Sequence, residues 1–196
     1  MVVLDATAGN RIMWPNKNPP LTVFMDKETR LAISPDIFAD FRFCPFRNNV
    51  FDCAIFDPPF YYTLNPENWI FYNPKRKLSK YSEKRKNPTH IPTHYGCYKN
   101  KRELLINITR GQQELARVAK RLCFRWADGK GRISLWRILS CFFSWKEIYR
   151  RKWSPRKMKL SDKLRFSKRI GYNYWITMIR SSDTKANENE KTMADR

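Results

Sequence analysis

The residues best suited to chemistry lie in one run, from Phe51 to Phe60, which reads FDCAIFDPPF. Its first six positions are mostly aromatic, β-branched or cysteine, a composition that favours a strand buried on both faces. Pro58 and Pro59 have no N–H for a strand ladder, so we expect the strand to place Asp57 at its carboxyl end. The two prolines also stiffen the turn. The run therefore predicts a fixed carboxylate beside an exposed Phe60 ring, which suits a flat substrate that donates hydrogen bonds.

Three more acids stand where predicted strands end, and all precede Asp57. The strands are apolar runs at positions 2–4, 21–25 and 36–39, and the acids that follow them are Asp5, Asp26 and Asp40. Short connections between such strands indicate a parallel sheet, whose carboxyl edge is where ligands bind. We therefore expect four carboxylates along one edge. The alternative for Asp26 is an acid in a solvated turn.

The turn after the first predicted strand is built from small residues. Ala6, Ala8 and Gly9 lack bulk, so a ligand can approach the backbone closely there. The segment 12–14, just before a proline, predicts a short helix. The turn does not match G-x-G-x-x-G, so it gives no indication of NAD.

Four segments resemble, in order and spacing, the class I S-adenosylmethionine-dependent methyltransferases. They are LDATAGNR at 4–11, FMDKE at 24–28, PDIFADFRFCPF at 35–46 and DCAIFDPPF at 52–60. More closely, they look like a small phage and prokaryotic group with the pattern LDATCGxRMMW, FxD, PDxxADFRxxPF and FDxVxFDPP. The Asp-Pro-Pro-Phe element is also similar to that of amino-methyltransferases acting on adenine or cytosine. The chain departs from the group in its single turn glycine, Gly9, and in Phe60, where His is more frequent.

The resemblance implies a fold and a cofactor. The fold would be α/β, a Rossmann-like three-layer sandwich with a mostly parallel sheet and a C-terminal antiparallel strand pair. The cofactor would be S-adenosylmethionine. Asp26 would hold its ribose hydroxyls and Asp40 would meet its adenine amino group. The methionine moiety and the turn beneath it would be lined by Asp5, Ala6 and Gly9.

The resemblance also implies how a target would be held. Asp57, at the cofactor edge, and the Pro58 carbonyl would accept hydrogen bonds from the target amino group, and Phe60 would stack on its base. These three residues are the expected catalytic set.

Positive charge is concentrated in the second half of the chain. The 196 residues carry a formal net charge of +21. Residues 1–70 contain six Lys and Arg against eight Asp and Glu, whereas residues 71–180 contain thirty against six, a net of +24. Such asymmetry predicts a nucleic-acid partner, although net charge can also serve solubility alone.

The segment 61–100 interleaves aromatic and basic residues and has no clear periodicity. Aromatic rings stack on bases and cations contact phosphates, so we expect a substrate-binding or lid insertion rather than a disordered, solubilising loop. Its expected substrate contacts are Tyr61, Tyr62, Lys75, Arg76 and Lys77. The segment also contains His90, His94 and Cys97, but three donors without a fourth do not predict a metal site.

Apolar periodicity predicts the remaining elements. The expected helices are 101–121 and 133–143, and the expected strands are 122–126, 145–149 and 174–179, the last two forming an antiparallel pair. A basic linker is expected at 150–169 and a disordered tail at 181–196. Residues 1–180 would form a single domain.

Five cysteines without a C-x-x-C pair fit a reducing compartment, so we expect a cytoplasmic location. No apolar run approaches the length of a membrane span, so no membrane association is expected.

These features predict a methyltransferase that acts on an exocyclic amino group of adenine or cytosine in DNA or RNA. Two alternatives stay open. One is a methyltransferase of a protein or small molecule, and the other is a non-catalytic nucleic-acid-binding protein with a degenerate cofactor site. The target base, the strand state and the oligomeric state do not follow from the sequence.

Overall fold

A computed structural model describes residues 1–29, 31–62, 98–128, 132–153 and 172–184. In these ranges the strands are β1 Val3–Asp5, β2 Thr22–Asp26, β3 Ile37–Phe38, β4 Phe51–Phe56, β5 Ala119–Asp128, β6 Trp145–Trp153 and β7 Tyr172–Arg180. The helices are α1 Lys101–Val118 and α2 Leu135–Leu139. None of the described helices is both long and apolar enough to cross a membrane.

The strands form one mixed sheet in the order β3-β2-β1-β4-β5-β7-β6. β1 pairs in parallel with β2 and β4, β2 with β3, and β4 with β5. β7 runs antiparallel to both of its neighbours, β5 and β6. The expected mostly parallel sheet and its closing antiparallel pair are therefore confirmed. The strand order reverses between β1 and β4, which makes their carboxyl ends a topological switch point.

Helix α1 has a reciprocal cap at its amino end. The Asn100 side chain accepts a hydrogen bond from the Glu103 N–H at 2.8 Å, and the Glu103 carboxylate accepts one from the Lys99 N–H at 2.7 Å. Both otherwise orphaned donors are thereby satisfied. The helix ends at Val118, three residues before the predicted end, because Ala119 already pairs with β4.

One face of the central strands β4 and β5 is covered. The rings of the register partners Phe56 and Phe124 lie 6.0 Å apart on this face. Helix α1 packs there so closely that a Cβ on Gly111 would lie 2.5 Å from the Phe41 ring. The segment after α2 packs on the same face, with the Phe142 ring 4.4 Å from Phe124.

The opposite face of β4 and β5 is only half-buried, at Cys53, Ile55 and Cys123. The prediction that β4 is buried on both faces was therefore wrong for this face. The described residues show one helical layer on the central strands, and the three-layer arrangement stays a prediction.

The segment 12–14 forms a turn rather than the predicted short helix. Arg11 adopts a left-handed conformation with φ of 53°. Its buried guanidinium lies 3.9 Å from the centre of the Phe24 ring and donates to the carbonyl oxygens of Lys17 and Ser34. These long-range bonds fix a path that helical hydrogen bonds would not allow.

Other boundaries also shifted. Helix α2 has five residues, fewer than the span predicted at 133–143. Strand β6 continues to Trp153, so the expected basic linker begins inside a strand. Residues 181–184 form a helical turn where a disordered tail was expected. The rest of the linker, at 154–169, and of the tail, at 185–196, lies outside the described residues.

Candidate functional site

The four predicted acids stand in a row at the carboxyl edge of the sheet. Asp5 and Asp26 end β1 and β2, Asp57 directly follows β4, and Asp40 lies two residues after β3. Since these strands are parallel neighbours, the order along the edge is Asp40, Asp26, Asp5 and Asp57. The expected row is therefore present, and Asp5 and Asp57 flank the switch point.

Asp5 is a fully buried carboxylate. Its two oxygens accept hydrogen bonds from the Trp14 indole N–H at 2.7 Å and from the Thr7 backbone N–H at 3.2 Å. Burial raises the pKa of Asp5 from 3.8 to about 6, against these two hydrogen bonds, and the charges of Asp57 and Asp26 add to the rise. The Asp5 carboxyl group therefore titrates near pH 6.

The turn after β1 is tied to the neighbouring strand β4 and to the residue that follows it. The Asp57 N–H donates to the Thr7 hydroxyl at 2.8 Å, and the Ala6 N–H donates to the Ile55 carbonyl at 3.0 Å. Gly9 has a left-handed φ of +49°, and a Cβ built on it would meet nothing within 4 Å. The turn is thus held firmly, with open space next to Gly9.

Asp26 accepts hydrogen bonds from its own loop and from the turn after β1. Its two oxygens accept hydrogen bonds from the backbone N–H groups of Gly9 and Glu28, at 2.8 and 2.9 Å. A carboxylate offers about four lone-pair sites, so Asp26 can still accept from a ligand hydroxyl.

Asp40 forms a bidentate ion pair with Arg42. The Arg42 Nε and Nη2 donate to its two oxygens at 2.9 and 2.6 Å, and the Lys27 ammonium lies 3.7 Å away. Burial tends to raise the pKa of Asp40, but the side-chain and backbone hydrogen bonds from Arg42 outweigh it and hold the pKa below its ordinary value. Asp40 is therefore a carboxylate at neutral pH.

Asp57 is held by an arginine that the sequence analysis did not single out. Arg125, on the adjacent strand β5, donates from Nη1 to Asp57 Oδ2 at 2.6 Å. The Asp57 side chain is 3% exposed and that of Arg125 20% exposed. A lone arginine in the apolar run LCFRWA was the available signal, because a cation in a central strand requires a partner.

Phe60 is 8% exposed, so the prediction of an exposed ring was wrong. Its ring lies 4.4 Å from the Tyr61 ring and 6.2 Å from that of Trp126. The Arg132 guanidinium lies 4.7 Å from the Phe60 ring centre and 5.0 Å from that of Tyr61, and it donates to the Tyr61 hydroxyl at 2.9 Å. A cation–π contact therefore covers Phe60.

The remaining predicted residues divide into two groups. Pro58 is buried, and Tyr61 and Tyr62 are half-buried beside the site. Tyr62 forms a β-bridge with Tyr98, so the residues that flank the stretch 63–97 are neighbours. The expected contacts Lys75, Arg76 and Lys77 lie outside the described residues, as do His90, His94 and Cys97. In the part of the chain that is described, no group of three or more His, Cys, Asp or Glu residues could hold a metal.

The arrangement combines acceptors, cations and ring faces at one sheet edge. The acids can accept from hydroxyl and amino groups, while Arg125 and Arg132 bring positive charge to Asp57 and Phe60. Such an edge suits a ligand that presents several N–H and O–H donors on a flat frame. No protein-family model, curated protein or solved structure matches the chain.

Proposed function

We propose that the chain is a methyltransferase that uses S-adenosylmethionine to modify an exocyclic amino group of adenine or cytosine in DNA or RNA. The observation that carries the proposal is the position of Asp5 and Asp57 on either side of the β1/β4 switch point, joined through the hydrogen bond from the Asp57 N–H to Thr7. The order β3-β2-β1-β4-β5 supports a Rossmann-like fold, in which ligands bind at this point.

The chemistry of the edge fits the cofactor. The carboxylate of Asp26 can accept hydrogen bonds from ribose hydroxyls, and that of Asp40 can accept them from an adenine amino group. Asp5, with its raised pKa, gains most from a positively charged neighbour, because such a neighbour favours the ionised form. The open space at Gly9 leaves room for the methionine moiety.

The chain's own residues would position the target amine. The cofactor, when bound, supplies an activated methyl group. An exocyclic amine is a poor nucleophile because its lone pair is delocalised into the ring. By accepting its N–H bonds, the Asp57 carboxylate and the Pro58 carbonyl would favour a pyramidal nitrogen, and Phe60 would support the base. Catalysis then consists mainly of alignment.

The charge of the chain supports a nucleic-acid substrate. The net charge of +24 lies in residues 71–180, and within this span Arg125 and Arg132 reach the site itself. A methyltransferase of a protein or small molecule would leave this excess of positive charge unexplained.

Transfer of tritiated methyl groups to DNA, RNA and protein tests the proposal. Label is expected in nucleic acid, and Asp57→Ala should lower the rate by roughly 100-fold or more, since loss of one positioned electrostatic group in an active site costs on that scale. The matched control is Asp52→Ala, at the opposite end of β4, which should retain the wild-type rate. Label in protein alone would reject a nucleic-acid substrate.

A second candidate is a nucleic-acid-binding protein without catalysis. It is favoured by the contacts of Arg125 with Asp57 and of Arg132 with Phe60, which engage the two groups that a target base would use. Calorimetry with S-adenosylmethionine separates the candidates, because only the methyltransferase requires binding.

A further inference from the structure

Arg125 presents to Asp57 the chemistry that a target amine would present. A guanidinium is flat and donates N–H bonds in its plane, as the amino edge of adenine or cytosine does. The bond from Arg125 Nη1 to Asp57 Oδ2 is 2.6 Å long, and the carboxylate is almost fully buried. Arg125 therefore already bonds one oxygen of the buried carboxylate that the proposed reaction assigns to the amine.

Arg132 contacts the Phe60 ring, on which the target base would stack. Its guanidinium lies 4.7 Å from the Phe60 ring centre, within the range of a cation–π contact. A base that stacks on Phe60 needs the face of a ring that is only 8% exposed. Arg125 thus contacts the carboxylate that would bind the amine of a nucleobase, and Arg132 contacts the ring on which the base would stack.

We infer that Arg125 and Arg132 determine substrate specificity. Their guanidinium groups contact the carboxylate and the ring that a target base would use, so the base must displace them. Only a substrate with phosphates displaces them effectively. The inference rests on the proposed function. An arginine that leaves a carboxylate or an aromatic ring needs another partner, and phosphate is the partner that its planar fork matches best. A polynucleotide brings both the base and that partner, whereas a nucleoside brings only the base.

The position of Arg125 is compatible with such an exchange. Its side chain is 20% exposed, so it has a path to solvent, and its Nη2 lies 3.5 Å from Asn173 Oδ1, at the limit of a hydrogen bond. Arg132 is half-buried and precedes the five-residue helix α2.

The test compares a nucleoside with an oligonucleotide that contains the same base. Wild-type protein should bind the oligonucleotide far more tightly, and Arg125→Met should strengthen nucleoside binding by roughly tenfold, about 1.4 kcal/mol. The matched control is Arg121→Met, on the same strand and exposed, which should leave nucleoside binding unchanged. If Arg125 only holds Asp57 in place, Arg125→Met will weaken binding of both ligands and Arg125→Lys will restore it, which overturns the inference.

Calorimetry with a nucleoside that lacks the amino group separates this inference from the proposed function. The gain in Arg125→Met should vanish when hydrogen replaces the amine, whether or not any methyl group is transferred. A gain that does not depend on the amine overturns the inference, while absent methyl transfer overturns only the proposed activity.

Arg132 gives a second test if Arg125→Met does not fold. Arg132→Met should strengthen nucleoside binding, with exposed Arg137 in α2 as the control position. Weaker nucleoside binding by a folded Arg132→Met protein overturns the inference.

Discussion

Asp5→Asn should change how the stability of the protein depends on pH. Burial raises the pKa of Asp5 to about 6, whereas the ordinary value is 3.8. Between these values the folded chain holds a proton that the unfolded chain has lost, so the free energy of unfolding falls as the pH rises through this window. At about 1.4 kcal/mol per pH unit, the full effect is about 3 kcal/mol. This loss of unfolding free energy is absent below pH 3.8 and stays constant above about pH 6.

The asparagine variant lacks this titration but loses a hydrogen bond. Its side chain has one acceptor oxygen, so either the Trp14 indole N–H or the Thr7 N–H is left without its partner, at a cost of about 1–3 kcal/mol. That cost does not vary with pH. The wild-type and variant curves should therefore differ in shape, and their separation should change by about 3 kcal/mol between pH 4 and pH 7.

Urea unfolding, followed by circular dichroism at pH 4, 5, 6, 7 and 8, measures this separation. Trp14→Phe serves as a companion variant, since the indole hydrogen bond lowers the pKa of Asp5 and its loss should move the window to higher pH. Parallel wild-type and Asp5→Asn curves from pH 4 to pH 7 would refute the assignment of a raised pKa to Asp5.

Three further outcomes are expected. Gly111→Ala should destabilise the protein by about 1–3 kcal/mol in urea unfolding, because the added Cβ would overlap the Phe41 ring. This cost outweighs the better helix propensity of alanine. Gln113→Ala, on the exposed side of α1, should not destabilise the protein. Asn100→Ala should cost about 1 kcal/mol in the same assay through the lost cap, and Asn100→Asp should retain it. Under the proposed function, the affinity for S-adenosylmethionine measured by calorimetry should rise from pH 5 to pH 7 as Asp5 ionises, and Asp5→Asn should flatten this rise.

The strands and their acids could be predicted because both are local properties. The run from Phe51 to Phe56 has a strand composition, and two prolines stop it at Asp57 whatever surrounds it. β1 and β2 are likewise apolar runs that end at an acid, although no proline stops them. Once the strands are parallel, their carboxyl ends share an edge, so the row of acids follows without knowledge of any side-chain contact.

The contacts within the site could not be predicted in this way. Arg125 lies 68 positions from Asp57 and meets it only because β5 pairs with β4 in one register. Arg132 contacts Phe60 across a comparable distance in sequence, so the sequence could not show that the ring is covered. The prediction of a helix at 12–14 was wrong for a similar reason, because the Arg11 side chain bonds to carbonyl groups beyond its own segment.

The place of β7 between β5 and β6 has a consequence for biosynthesis. Among the described strands β7 comes last in sequence, yet it pairs with both of the strands that precede it, β5 and β6. A nascent chain that has not yet released residues 172–180 from the ribosome leaves β5 and β6 each with an unpaired edge, and such edges promote association between chains. This half of the sheet therefore closes only after residues 172–180 have been translated and released, and a premature stop before Tyr172 should yield an aggregating product.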